Sequence, residues 1–153
     1  MDEENLKVLI QRIVKKAARL KDMRTKEREA RVNYACIFSQ SEKQFLELKE
    51  AASKIGEVVK MTSSGPLFKI VPLETPAGRL KLLKIRLYDI TRPELGDADF
   101  TVRDYLSFKK QCLSQQGFKL IQRENYEMIE LMGDGFDVRV YFSNPPLDEQ
   151  LDL

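Results

Sequence analysis

From Glu3 to about residue 29, apolar side chains return every third or fourth position. Leu6, Ile10, Ile13, Ala17 and Leu20 therefore share one face of a helix. Asp2 can cap its start, and Glu3 and Glu4 suit the positive end of the helix dipole. From Lys21 to Arg31 nearly every residue is charged, which predicts a solvated or fraying end. The period then shortens. Residues 33–38 read as a strand, and Ser41-Glu42-Lys43-Gln44 has the spacing of a capping box that starts a second helix. Phe45, Leu48 and Ala52 line the buried face of that helix, and Gly56 is expected as its left-handed C-terminal cap. Strands are predicted over 57–62, 67–74 and 80–87, separated by turns at Ser64-Gly65-Pro66 and Thr75-Pro76-Ala77-Gly78. In the last of them Leu83, Ile85 and Leu87 alternate with Lys84, Arg86 and Tyr88.

After a connector holding Pro93 and Gly96, the pattern restarts. Residues 97–102 form a strand with Ala98, Phe100 and Val102 on one side and Asp97 and Asp99 on the other. Asp104 caps a helix through Tyr105, Phe108 and Cys112 that ends at Gln116-Gly117. Three strands follow over 118–122, 126–131 and 136–142, the last two joined by a hairpin at Gly133-Asp134-Gly135. In the final strand Phe136, Val138, Val140 and Phe142 alternate with Asp137, Arg139 and Tyr141. Laid over one another, the halves share an order: strand, helix, glycine, three strands. Phe45-Leu46-Glu47-Leu48-Lys49 falls on Tyr105-Leu106-Ser107-Phe108-Lys109, and Gly56 on Gly117. The expected fold is therefore α+β: an N-terminal amphipathic helix (1–31), then two tandem βαβββ units forming a curved, mostly antiparallel sheet (32–144), then an acidic tail (145–153) expected to be mobile.

Composition narrows the chemistry. The 153 residues are 42% hydrophobic and 33% charged, as in a globular domain. There is no histidine, which removes Ser-His-Asp and Cys-His catalysis and imidazole metal sites. Two separated cysteines, Cys36 and Cys112, cannot complete a zinc site and read as buried free thiols, consistent with a cytoplasmic location. A bound metal would need oxygen ligands, which suits Mg²⁺, Mn²⁺ or Ca²⁺. No apolar run is long enough to span a bilayer and no secretion signal opens the chain, so a membrane partner is not expected. The net charge is +2, with nine basic and three acidic residues from Arg12 to Arg31. That arm is too sparse, and too free of aromatic residues, to make nucleic acid the expected partner.

A paired βαβββ unit resembles the glyoxalase/bleomycin-resistance (vicinal oxygen chelate) superfamily. The resemblance is strongest to its YecM-like branch, in which a helical segment precedes the paired units. It covers residues 32–142, and Gly96-Asp97-Ala98-Asp99-Phe100-Thr101-Val102 resembles the strand that opens the second unit there. That family carries a His or Glu metal ligand on this strand, pointing into a cup. The resemblance implies that Asp97 and Asp99 occupy the ligand face, with Asn33 or Tyr34 opposite and Glu127, Glu130 or Asp137 as a further oxygen. Without histidine, the family's metal-dependent isomerase and dioxygenase chemistries lack their usual ligands.

The residues support a small-molecule-binding protein whose cup is lined by Arg86, Tyr88, Asp97, Asp99, Glu130, Arg139 and Tyr141. Arg86 and Arg139 would grip an anion, while Asp97 and Asp99 would hold a hard divalent cation or a ligand amine. Each cluster also reads as a solvent-facing strand surface, and convergence of the two units is what would join them. The alternatives are a protein-interaction module using the N-terminal helix, with a homodimer open, and weak RNA binding through the basic arm.

Overall fold

The computed structural model describes all 153 residues. Helix α1 spans Glu3–Arg24, with the Asp2 carboxylate accepting from the Asn5 amide. The first unit comprises β1 (Arg31–Phe38), α2 (Glu42–Ser53), β2 (Gly56–Thr62), β3 (Gly65–Thr75) and β4 (Gly78–Arg86). The second comprises β5 (Gly96–Thr101), α3 (Tyr105–Cys112), β6 (Phe118–Gln122), β7 (Glu127–Leu131) and β8 (Val138–Asn144), and a short α4 (Leu147–Gln150) follows. All eight strands form one sheet in the order β2-β3-β4-β1-β5-β8-β7-β6. β1 runs parallel to β4, as β5 does to β8, and the units join through antiparallel β1 and β5. The duplicated α+β architecture read from the sequence is thus the architecture of the molecule.

One face of the sheet carries the core. Leu6, Ile10, Ile13, Val14, Ala17 and Leu20 of α1 are all within 1% of complete burial. They pack against β1, β5 and β8, across the seam between the units. α2 and α3 bury Leu48, Ala51, Ala52, Phe108 and Cys112 on the same side. The other face is concave: residues of both edge strands, Met61 and Thr62 of β2 and Ile121 of β6, line one cavity, so the sheet curls strongly. No helix is long and apolar enough to cross a membrane.

Several local expectations need correction. α1 stops at Arg24, where Thr25 turns extended and its amide and hydroxyl both donate to the Lys21 carbonyl oxygen. The Lys21 ammonium, expected in solvent, is buried and donates to the Glu27 carbonyl at 2.5 Å and the Asp22 carboxylate at 2.7 Å. Gly56 is not a left-handed cap. α2 ends with Lys54 in the right-handed region, and Gly56 opens β2 where an added Cβ would stand 2.3 Å from the Lys69 carbonyl oxygen. β4 ends at Arg86, so Leu87 and Tyr88 fall outside the strand and are exposed. α3 ends at Cys112, short of Gly117, and β8 begins only at Val138. The acidic tail does not stand free. Asp148 accepts from the Asn33 side-chain amide at 2.8 Å, its backbone amide donates to the Asn33 side-chain oxygen Oδ1 at 3.2 Å, and α4 rests on β1.

Candidate functional site

Strand register sets out the floor of the cup. Lys84 on β4 pairs with Cys36 on β1, Cys36 with Asp97 on β5, and Asp97 with Arg139 on β8, forming one row across the four central strands. The adjacent row runs Tyr34, Asp99, Tyr141, Glu130. Alternation keeps the small Ala35 and Ala98 on the core side, where α1 crosses, and turns the polar residues into the concavity. The cavity measures about 550 Å³, within the range of small-ligand pockets. Its wall includes Tyr34, Cys36, Lys84, Arg86, Asp97 and Tyr141 from the central strands and Arg92 from the connector. Leu147, Gln150 and Leu151 close one side.

Two atoms stand out. Arg86 Nε and Asp97 Oδ1 are buried and have no hydrogen-bond partner in the protein, although both residues line the cup. An unpaired buried donor and acceptor are costly unless something else satisfies them. Burial pushes the Asp97 carboxyl up to about 7, against the opposing pull of Lys84, Arg92, Arg86 and Arg139. Burial lowers the Lys84 ammonium, and its neighbours Cys36 and Asp97 work in the other direction. Desolvation raises the Cys36 thiol well above its ordinary value, so it is no thiolate nucleophile at neutral pH.

The remaining expected site residues lie in three settings. Asp99 shares the concave face of β5 but is fully buried, with its carboxylate taken up by the Ser143 hydroxyl and amide. Its carboxyl is also pushed up to about 7, by burial first. Arg139 is held by Glu94 at 2.5 Å and approaches Glu130 at 3.6 Å, so its charge is already matched. Glu130 accepts from the Tyr141 hydroxyl at 2.7 Å, and Arg92 reaches that hydroxyl at 3.4 Å. These groups form a buttress beside the cup, with Arg92 and Arg139 both over the Phe38 ring at 5.4 and 5.9 Å. Tyr88 does not line this cavity; it lies with Ile90 in an adjoining hollow that shares Ser63, Ser64 and Arg86 with the cup. The structure therefore brings Arg86, Asp97 and Tyr141 together, sets Asp99, Glu130 and Arg139 behind them, and leaves Tyr88 in the adjoining hollow.

For a cation, the surroundings are unfavourable. No group of three or more His, Cys, Asp or Glu side chains is placed to hold a metal ion, and the carboxylate that does face the cavity is surrounded by cationic side chains. Sequence reasoning omitted Arg92, because a connector arginine has no periodicity to assign it a side. It also missed the closing contribution of residues 147–151, which read only as an acidic tail.

No protein-family model matches the chain, and no curated protein matches it. Among solved structures, one described as "Structural Genomics, Protein EC4020" matches 99% of this chain and 93% of its own, with a TM-score of 0.75 at 11% identity. A second, described as a "putative dioxygenase from Bacillus subtilis subsp. subtilis str. 168", matches 72% of this chain and 37% of its own at 15% identity; its TM-score of 0.25 carries no argument. What the chain shares with the first is a fold, along nearly the whole length of both molecules.

Proposed function

We propose that this is a small-molecule-binding protein of the glyoxalase-like fold, in the manner of the YecM-like branch, which takes an anionic ligand in its concave cup. One observation carries this reading: the guanidinium of Arg86 has a buried, unpartnered Nε that belongs to the wall of a 550 Å³ cavity. Lys84 stands on the same strand face with no carboxylate in ion-pair contact, and Arg92 adds a third cation; Arg86 and Arg92 share a single carboxylate, Asp89, at 3.9 and 3.7 Å. A guanidinium and an ammonium in a partly dehydrated concavity attract a carboxylate or phosphate more strongly than they would at an open surface. Binding is the function these residues support. An acid–base role for Asp97 would need a bound substrate to give it a direction.

The apolar face of α1 is buried in its own core, so an interaction module would have only the helix's polar side to offer. That favours the cup over the helix as the functional surface.

Thermal-shift titration with acetate, phenylacetate, inorganic phosphate and a phosphate monoester tests the proposal. A ligand at about 100 times its Kd stabilises the folded state by roughly 2.7 kcal/mol. The expected result is a shift with at least one anion that Arg86→Gln weakens by about tenfold or more in Kd, while the ligand-free melting temperature stays close to the parent's. No shift with any anion, or unchanged affinity in Arg86→Gln, would overturn it.

A further inference from the structure

The cup is not uniform. Lys84 and Arg86 project from β4, and Arg92 from the connector that follows. Across the three central strands from them, Ile121 of β6 and Met128 of β7 present apolar surface, which Leu147 and Leu151 of the C-terminal segment extend. Between the two regions lies Asp97, 6% exposed, with its Oδ1 unpaired. A carboxylate oxygen can only accept, so the position calls for a donor on the ligand.

The nature of that donor follows from the charges. Lys84 is the cation acting most strongly on Asp97, followed by Arg92, Arg86 and Arg139. A ligand ammonium would meet that positive field at close range, whereas a hydroxyl brings the proton without the charge. Spacing limits where the hydroxyl can sit. Lys84 and Asp97 flank Cys36 in one register row, two strand spacings or about 10 Å apart at the backbone. Side chains on one sheet face stand roughly parallel, so the span between the two charged groups is similar, and a hydrogen bond of about 3 Å at either end takes up much of it. What remains suits an anion and a donor on adjacent carbons.

Building on the anionic-ligand reading, we propose that the cup takes a 2-hydroxy monocarboxylate with an apolar substituent. Its carboxylate rests on Arg86 and Lys84, and its hydroxyl donates to Asp97 Oδ1. Its substituent lies against Ile121, Met128 and the C-terminal leucines. No bond is made or broken in this assignment.

Calorimetric titration of the intact protein at pH 8 with four probes of one size tests it: mandelate, phenylacetate, phenylglycine and mandelamide. Mandelate should bind roughly ten- to hundredfold more tightly than phenylacetate, as expected for a hydrogen bond to a buried charged group. It should exceed phenylglycine by a similar factor. Asp97→Ala should bring mandelate down to the phenylacetate value, and the wild-type probe series decides the matter even if that variant folds poorly. Equal binding of mandelate and phenylacetate would overturn the hydroxyl assignment and leave the anionic cup standing. Tighter binding of phenylglycine would overturn it in favour of an amine. If mandelamide matched mandelate, the anionic reading would fall and the carboxylate assignment with it. If none of the four bound, the 2-hydroxy acid assignment alone would fall, and the acetate and phosphate series would decide the wider reading.

Discussion

Asp97 and Asp99 illustrate how one strand face sets two carboxyl groups at odds with their surroundings. Both are deeply buried, and burial pushes each from an ordinary 3.8 up to about 7. Between those values the folded protein keeps protons that the unfolded chain has released. The stability these groups allow is therefore full at low pH and is lost as pH rises through the window from about 4 to about 7. Because the two carboxyls interact, the loss belongs to the pair. Melting temperature should decline across this interval and level off above it, with Asp97→Asn flattening the decline and melting higher than the parent at pH 8. A melting temperature that rises between pH 5 and 7 in the parent would contradict the assignment. Glu127 acts in a separate range: Lys109 at 2.8 Å and the Tyr105 hydroxyl at 2.8 Å hold it below its usual value, so its contribution disappears only under more acidic conditions. Residue-scale chemistry was partly visible in the sequence. Alternation placed Asp97 and Asp99 on one strand side, but it could not show that Ser143 occupies one and nothing in the chain occupies the other.

At the scale of elements, two junctions hold the cup in shape. β5 begins with Gly96, where an added Cβ would stand 2.1 Å from the Cys36 carbonyl oxygen. The strand that carries Asp97 can lie against β1 only without a side chain there. Gly96→Ala should cost on the order of 1–3 kcal/mol, as overpacking does, and should weaken any anion binding that depends on Asp97 and Arg86 together. Chemical denaturation alongside ligand titration measures both effects. The second junction joins the C-terminal segment to the β1 irregularity around Asn33, through the paired hydrogen bonds between Asn33 and Asp148. Asn33→Ala removes both bonds at about 1 kcal/mol each, and amide exchange over residues 147–151 should quicken while the strands stay protected. Unchanged exchange there would show that packing of Leu147 and Leu151 is sufficient to hold the segment. Capping chemistry at this scale was legible from local sequence: Ser41 and Asp104 cap their helices, with the side-chain oxygens accepting from Gln44 and Ser107 at 3.0 and 3.2 Å. Helix and strand ends without such a marker, at Cys112 and Arg86, were misplaced because the hydrophobic pattern continues past the point where geometry stops it.

For the molecule as a whole, α1 is the element on which the two units depend together. Leu6, Ile10, Ile13, Val14 and Leu20 are almost fully buried, and at roughly 1.5–3 kcal/mol per side chain their loss is on the order of 10 kcal/mol. That is comparable to the entire stability of a typical domain. Deleting residues 1–30 should therefore leave a chain without a cooperative unfolding transition in circular dichroism. A truncated protein that kept its melting temperature would return α1 to the role of a partner-binding arm. Periodicity along the chain was enough for the duplicated βαβββ order, the buried face of α1 and the absence of histidine chemistry, because each depends on near neighbours or on composition alone. Which polar residues meet is a different kind of fact. Lys84, Cys36, Asp97 and Arg139 come from four strands and share a row only through register, Arg92 arrives from a connector without periodicity, and the acidic tail becomes a wall through one pair of hydrogen bonds. Glu94 and Glu130 match Arg139, while Arg86 shares Asp89 with Arg92 and keeps a buried, unpartnered Nε, a distinction set by contacts that bring Arg139 to residues far away in the chain.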